Sequence, residues 1–169
     1  MSQFQAQEKL VLLKFVWDSS AIVNLKEGNE HGYSPAYSLW KDLSDNSFDT
    51  EYLNIIPSIA FFEVNATVSS KNRNHQRMLH DFYILGDNEI IYSIDEELIA
   101  KSSSLVKQAG FRRLRGADLI FACITKIEDA HLVTLDKAFQ KHLSNEIKIL
   151  DLNDSRNSAI YRDTLFQVN

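Results

Sequence analysis

The segment that decides the fold spans residues 116–139 and reads GADLIFACITKIEDAHLVTLDKAF. Residues 117–127 form an apolar run of helical length, and residues 131–135 form a short apolar run that predicts a buried strand. Asp118 opens the predicted helix, and Asp136 comes directly after the predicted strand. In a parallel α/β sheet the helices begin at the edge where strands end, so the segment predicts two carboxylates at one edge of the sheet.

The same alternation of strands and helices continues through the rest of the chain. Short apolar runs predict strands at 11–17, 53–56, 89–93, 131–135 and 147–150, and longer or periodic runs predict helices at 19–26, 34–43, 59–69, 75–85, 95–108, 117–127 and 137–142. Ser58 is the predicted N-cap of the third of these helices. Alternation of this kind indicates an α/β fold in which helices cover both faces of a parallel sheet. We therefore predict a single domain over residues 8–150 and a tail over residues 151–169.

The composition limits the classes of protein that need to be considered. The chain has 169 residues, of which 44% are hydrophobic and 24% charged, as is typical of one globular domain. A net charge of −5 argues against a general nucleic-acid coat protein, which would normally be basic. The apolar stretch at residues 10–17 is too short to span a membrane and does not resemble a signal peptide. Cys123 is the only cysteine and is predicted to be a buried thiol, which is consistent with a reducing cytoplasm.

Four acidic residues fall at the same edge of the predicted sheet. Asp18 ends the first strand, Glu63 lies within the first two turns of the helix after the second strand, and Asp118 and Asp136 occupy the positions described above. If the first and fourth strands are neighbours, Asp18 and Asp136 face each other across the crevice where α/β proteins bind ligands. We expect these four carboxylates to form one site.

Four carboxylates in a small pocket repel one another, which raises some of their pKa values and destabilises the fold. A bound divalent cation removes this conflict, and a site of carboxylates without a histidine or cysteine cluster favours Mg²⁺ or Mn²⁺. Such an ion polarises a phosphodiester and lowers the pKa of a bound water. The residues therefore predict hydrolysis of a phosphodiester by in-line attack of activated water.

Three segments resemble PIN-domain nucleases, especially the VapC-type toxins of bacterial and archaeal toxin–antitoxin pairs. They are FVWDSSAIV at 15–23, IPSIAFFEVNA at 56–66 and the segment at 116–139. The spacing of 18 positions between Asp118 and Asp136 is usual for the last of these blocks. The resemblance covers the chain from about Leu10 to Leu150.

The resemblance implies a sheet with strand order 3-2-1-4-5 and a Mg²⁺- or Mn²⁺-dependent endoribonuclease that hydrolyses RNA. It matches the four acids to the family's four acidic positions as both metal ligands and catalytic residues: Asp18, Glu63, Asp118 and Asp136. Ser20 and Thr134 match polar positions that orient these ligands through hydrogen bonds. It also implies a cognate antitoxin as partner, a homodimer, and a cytoplasmic location.

The sequence departs from the family pattern in several places. Leu135 stands where many members have Arg or Asn, and Ala138 stands where a further Asp is frequent. Asp18 and Glu63 are 45 positions apart, which is longer than in compact members. The first nine residues and the tail are additions. These departures leave the four acids in place but bear on the choice of substrate and the geometry of the partner.

Other residues have two interpretations each. Taken singly, each of the four acids is an ordinary helix-capping or solvated residue. Arg112, Arg113 and Arg115 either bind substrate phosphates or lie in a solvated loop. The basic stretch at 71–77 is better explained as a solvated loop. Four aromatic residues are candidates for the core, or for a groove that accepts an antitoxin helix: Tyr37, Trp40, Phe61 and Phe62.

Two alternative functions remain open at this point. The chain could be a phosphotransferase or phosphatase with Asp18 as covalent nucleophile, although phosphatases of the haloacid-dehalogenase type usually carry a second Asp where this chain has Ser20. It could also be a non-catalytic PIN module that binds RNA or protein, although such modules tend to lose acids and this chain keeps four.

Overall fold

The computed structural model describes residues 12–45, 50–71 and 86–154. The predicted helix at 75–85, most of the basic stretch at 71–77 and the greater part of the tail lie outside these ranges. The described strands are β1 Leu13–Trp17, β2 Tyr52–Pro57, β3 Glu89–Tyr92, β4 His131–Thr134 and β5 Lys148–Asp151. The described helices are α1 Ser19–His31, α2 Pro35–Ser44, α3 Ser58–Lys71, α4 Glu96–Ser102, α5 Gly116–Ile127 and α6 Lys137–Leu143, with 3₁₀ turns at Leu105–Lys107 and Phe111–Arg113.

All five strands form one parallel sheet in the order β3-β2-β1-β4-β5. The predicted fold class and strand order are thus confirmed. The central strand β1 pairs with β4 so that Trp17 lies opposite Val133, and the Asp18 amide donates to the Val133 carbonyl at 3.2 Å. This pairing places the end of β1 beside the end of β4, as the predicted site requires.

The central strand β1 is apolar because both of its faces are buried. Phe15, Val16 and Trp17 of β1 are fully buried, which explains why their segment reads as a continuous apolar run. The Trp17 indole donates to the Asn54 side-chain oxygen at 2.9 Å and packs edge-to-face on Trp40, with ring centroids 5.1 Å apart. Cys123 is also buried, as predicted. The central strand is therefore held firmly on both faces just before it reaches Asp18.

Helix α1 extends five residues beyond its predicted end at residue 26, because Gly28 does not terminate it. A Cβ atom on Gly28 would lie 2.2 Å from Ser34 Oγ and 2.5 Å from Tyr37 Cβ. The missing side chain therefore allows the start of α2 to approach α1 closely. Ser34 caps α2 by accepting from the Tyr37 amide and donates to the Asn24 carbonyl at 2.6 Å, so one serine ties the two helices together.

We expect Gly28→Ala to destabilise the protein by about 1–3 kcal/mol, the usual cost of forcing a group into a well-packed contact. The expectation runs against helix propensity, which favours Ala over Gly by up to about 1 kcal/mol. Denaturant unfolding measures the change, with Asn29→Ala at the exposed neighbouring position as control. A Gly28→Ala protein as stable as Asn29→Ala would contradict the close approach.

The predicted helix at 95–108 ends early. Asp95 caps α4 by accepting from the Leu98 amide at 2.9 Å, and the acidic first turn is present as predicted. The helix stops at the serines of residues 102–104, whose hydroxyl groups compete for backbone hydrogen bonds and disfavour a helix interior. Two 3₁₀ turns follow and bury Phe111 and Leu114. In α3 the difference is smaller: Ser58 is the first helical residue and does not precede the helix as its N-cap.

None of the helices in the described ranges is suited to crossing a membrane. The longest, α3, has 14 residues, and a spanning helix needs about 20 apolar ones.

Candidate active site

Asp18 lies at the junction between β1 and α1 and is only 3% exposed. Its carboxylate accepts three hydrogen bonds from the protein. The Ala21 amide and the Ser20 hydroxyl donate to Oδ1, each at 2.7 Å, and the Thr134 hydroxyl donates to Oδ2 at 2.5 Å. Asp18 therefore caps α1 through one oxygen, while Oδ2, which has two lone pairs, accepts a single one of these bonds.

The two hydroxyl groups that contact Asp18 are themselves oriented by the backbone of the β4 end. Ser20 Oγ accepts from the Leu135 amide at 3.0 Å, and Thr134 Oγ1 accepts from the Asp136 amide at 2.9 Å. Since an N–H already points at each hydroxyl oxygen, each hydroxyl proton is directed to the Asp18 carboxylate. Two chains of hydrogen bonds, which we call relays, thus connect the turn after β4 to the two carboxylate oxygens of Asp18.

The acids at this edge influence each other electrostatically. The pKa of Asp18 is raised to about 6, chiefly by burial and to a smaller extent by the nearby charge of Asp136, while three hydrogen bonds act in the opposite direction. Burial also raises the pKa of Asp118, with added repulsion from Asp136 and Glu63. Every one of the four predicted acids is therefore involved in at least one of these repulsions. Binding of a proton or a metal cation would reduce the repulsion among these carboxylates.

The three other acids lie near the starts of three different helices. Glu63 lies in the second turn of α3, and its Oε2 accepts from the Ser19 hydroxyl. Asp118 is in the first turn of α5, two residues after Gly116, whose φ of +54° is a conformation that favours glycine. Asp136 caps α6 by accepting from the Ala138 amide at 2.8 Å. Each carboxylate is held near the start of a helix, at the edge where the strands end.

No three histidine, cysteine or acidic side chains in the described ranges are arranged closely enough to hold one metal ion. The structure brings the four carboxylates to one edge and within electrostatic range of one another, but not into a ligating cluster. Separation is what charge repulsion favours when no cation lies between them. The chemistry of the donor set fits Mg²⁺ or Mn²⁺, because it consists of carboxylates and hydroxyls, and because a buried carboxyl with a raised pKa gains from a nearby cation.

The arginines lie in the turn that precedes Asp118. Phe111 and Leu114 are buried, and they anchor a turn on which Arg112 and Arg113 are exposed. Arg115 donates to the carbonyl groups of Arg112 and Leu114 and so stabilises the turn itself. All three arginines are exposed, and Arg115 differs from the other two because its guanidinium donates to these backbone carbonyls.

Two residues were assigned differently, or not at all, from the sequence. Ser19 contacts Glu63 across 44 positions of sequence, and only the packing of α1 beside α3 reveals this contact. Phe62, a candidate for the core or for a groove that accepts an antitoxin helix, is 73% exposed on the outer face of α3, so the core interpretation is wrong. Trp40 and Phe61 do pack against the core, as predicted.

The sequence from residue 15 to residue 142 matches the family model described as the PIN domain. The chain belongs to the PIN domain family. The matched region includes the four acids, the two relay hydroxyls and the arginine turn of this PIN domain. No curated protein sequence matches the chain.

Solved structures support the same fold. This PIN domain is similar to a chain of VapBC2 from Rickettsia felis bound to a DNA fragment from their promoter, with TM-score 0.60, 16% identity, and coverage of 82% of this chain and 98% of that one. It is similar to a chain of a toxin–antitoxin complex from Klebsiella pneumoniae, with TM-score 0.56, 15% identity, and coverage of 81% and 96%. It is also similar to a chain of VapBC-1 from nontypeable Haemophilus influenzae, with TM-score 0.57, 14% identity, and coverage of 83% and 98%. At these identities the likeness concerns the fold.

Proposed function

We propose that this PIN domain protein is a Mg²⁺- or Mn²⁺-dependent endoribonuclease and the toxin of a toxin–antitoxin pair. The observation that carries the proposal is the burial of the Asp18 side chain together with its fixed orientation. A carboxylate that is 3% exposed, has a raised pKa and sits near a second acid is costly to the fold, and the relays through Ser20 and Thr134 keep it in one orientation. Such an arrangement suits a ligand for a cation better than it suits a helix cap alone.

The carboxylates of four residues would hold the metal: Asp18, Glu63, Asp118 and Asp136. A bound Mg²⁺ or Mn²⁺ supplies an activated water and polarises the scissile phosphodiester. The chain itself orients the ligands, since Ser20 and Thr134 fix both oxygens of Asp18.

Substrate binding is assigned to the arginine turn. Arg112 and Arg113 are exposed beside the start of α5, whereas Arg115 is engaged with backbone carbonyls. Guanidinium groups bind phosphate oxygens well, and two of them here offset the negative charge that the acids would present to RNA. We propose that this turn binds the sugar–phosphate backbone of the substrate.

The fold similarity to chains of toxin–antitoxin complexes supports an antitoxin as the natural partner of this protein. A homodimer and a cytoplasmic location complete the proposal, the latter in keeping with a single buried cysteine.

The direct test is cleavage of single-stranded RNA by the purified protein. We expect endonucleolytic cleavage with Mn²⁺ or Mg²⁺, background in EDTA, and recovery on adding the metal back. Asp136→Asn, prepared in the same way, is the matched control, because a contaminating ribonuclease would cleave equally in both preparations. Cleavage that persists undiminished in EDTA would refute the metal-dependent mechanism.

A second candidate is a non-catalytic PIN module, which is favoured by the helix caps that Asp18 and Asp136 supply without any metal. The absence of Mn²⁺ binding at millimolar concentration would support this candidate. The phosphotransferase alternative has less support, because both oxygens of Asp18 accept hydrogen bonds and the side chain is buried, which hinders attack on a phosphoryl group.

A further inference from the structure

Ser19 is the first residue of α1 and stands between two residues already assigned to the site. Its hydroxyl donates to Oε2 of Glu63, which belongs to α3. The two side chains are partly buried and far apart in sequence, so the contact depends on the packing of α1 against α3. Among the described hydrogen bonds, Ser19 makes none with Asp18, whose hydroxyl partners are Ser20 and Thr134.

Glu63 needs such a partner more than Asp18 and Asp136 do. A glutamate side chain has one more rotatable bond than an aspartate and loses more freedom when it is fixed. Asp18 and Asp136 are fixed because they cap helices, but Glu63 lies in the second turn of its helix, where capping is not available. Among the described hydrogen bonds, the Ser19 hydroxyl supplies the one that restrains its carboxylate.

The orientation that Ser19 selects is compatible with the site. The charge of Glu63 raises the pKa of Asp118, so the Glu63 carboxylate lies within electrostatic range of the start of α5. With Oε2 accepting from Ser19, Oε1 remains for a ligand. The first turn of α1 would then orient two acids from different elements, Asp18 through Ser20 and Glu63 through Ser19.

We propose that Ser19 is a positioning residue that holds the Glu63 carboxylate in the orientation in which it binds the divalent cation. The inference rests on the proposed function, because Glu63 is assigned there to the metal. It adds a residue that acts through Glu63 and touches neither metal nor RNA. Its signature is therefore a loss of metal affinity that depends on Glu63.

The experiment titrates the full-length protein with Mn²⁺ alone, by calorimetry and without RNA. We expect Ser19→Ala to weaken Mn²⁺ binding by about 10-fold or more, the usual effect of removing a partner that orients a metal ligand. Ser19→Thr keeps a hydroxyl at the same position and restores most of the affinity. Ser44→Ala removes an exposed hydroxyl that donates to the Trp40 carbonyl in α2, and it leaves the affinity unchanged.

Glu63→Gln separates this inference from the proposed function. If Glu63→Gln leaves Mn²⁺ binding intact, the assignment of the metal site is wrong. If Glu63→Gln weakens binding and Ser19→Ala does not, the metal site stands and the role of Ser19 is refuted. In the double variant, Ser19→Ala should have no further effect, and an undiminished effect would show that it acts elsewhere.

Two further observations keep the test decisive. Thermal unfolding in EDTA checks that Ser19→Ala folds like the wild type, since a global loss of structure would lower affinity without any role in positioning. If Ser19→Ala unfolds, or if Glu63→Gln binds no measurable Mn²⁺, the Mn²⁺ affinity of Ser19→Thr tests the proposal instead. An affinity for Ser19→Thr as low as that of Glu63→Gln, in a protein that melts normally, would overturn the proposal.

Discussion

Asp18→Asn is expected to abolish RNA cleavage and, in the same protein, to raise the stability of the metal-free fold. The loss of cleavage follows from the assignment of Asp18 to the metal. We expect a fall of at least about 10³-fold, comparable with the removal of a central catalytic group. The gain in stability follows from burial, because the neutral amide avoids the cost of a buried charge.

The size and the pH window of this gain follow from the pKa of Asp18. The pKa of the folded state is about 6 and the ordinary value is 3.8, so the fold holds the proton more tightly than the unfolded chain does. The ionised carboxylate therefore costs about 3 kcal/mol at pH 7 relative to a neutral group. This cost declines as the pH falls through 6 and disappears below 3.8.

Denaturant unfolding in EDTA measures the prediction. The free energy of unfolding of Asp18→Asn should exceed that of the wild type by up to about 3 kcal/mol at pH 7, and the difference should shrink toward pH 4. Saturating Mn²⁺ should stabilise the wild type and leave Asp18→Asn unaffected. Asp45→Asn, at the exposed end of α2, is the control and should match the wild type both in stability and in its response to Mn²⁺. An Asp18→Asn protein that cleaves RNA normally would refute the assignment, and one less stable than wild type at pH 7 would refute the account of its cost.

The arrangement of strands was predictable because short apolar runs and helical runs alternate without ambiguity in this chain. The neighbouring positions of β1 and β4, which bring Asp18 beside Asp136, followed from the resemblance and are confirmed by the pairing of Trp17 with Val133. The positions of Asp118 and Glu63 near the starts of helices were also predictable, because helices in such a fold begin at the edge where the strands end.

What the sequence did not predict depends on contacts between distant residues. The extension of α1 through Gly28 depends on the approach of α2, since an isolated glycine normally disfavours a helix. The contact of Ser19 with Glu63 needs the packing of α1 against α3. Local propensity does not encode either contact. The exposure of Phe62 follows from the rotation of α3 about its axis, which the apolar run at 59–62 leaves undetermined.

His131→Leu is expected to remove a large part of the acid sensitivity of the fold. His131 begins β4 and lies between Phe15 and Lys148 in the register of the sheet, with its ring centroid 5.8 Å from that of Phe15. Burial lowers the pKa of His131 to about 4, and the positive charge of Lys148 acts in the same direction. The folded state therefore favours the neutral imidazole.

As the pH falls, protonation of His131 lowers the free energy of unfolding, whereas protonation of Asp18 raises it. The ordinary pKa of histidine is 6.5, so the unfolded chain takes up the proton first, and stability is lost as the pH falls from 6.5 to about 4. The full loss amounts to about 3 kcal/mol. Over nearly the same range the protonation of Asp18 restores about as much, so the two contributions largely offset each other in the metal-free wild type.

Each variant should therefore expose the contribution of the other residue. Between pH 7 and 4.5, the free energy of unfolding in EDTA should fall more steeply for Asp18→Asn than for the wild type, and less steeply for His131→Leu. His31→Leu replaces an exposed histidine at the end of α1, and it should follow the wild-type curve. His131→Gln, which also cannot ionise in this range, separates the loss of charge from the change in packing. Parallel curves for His131→Leu and the wild type would show that the imidazole is not held neutral by the fold.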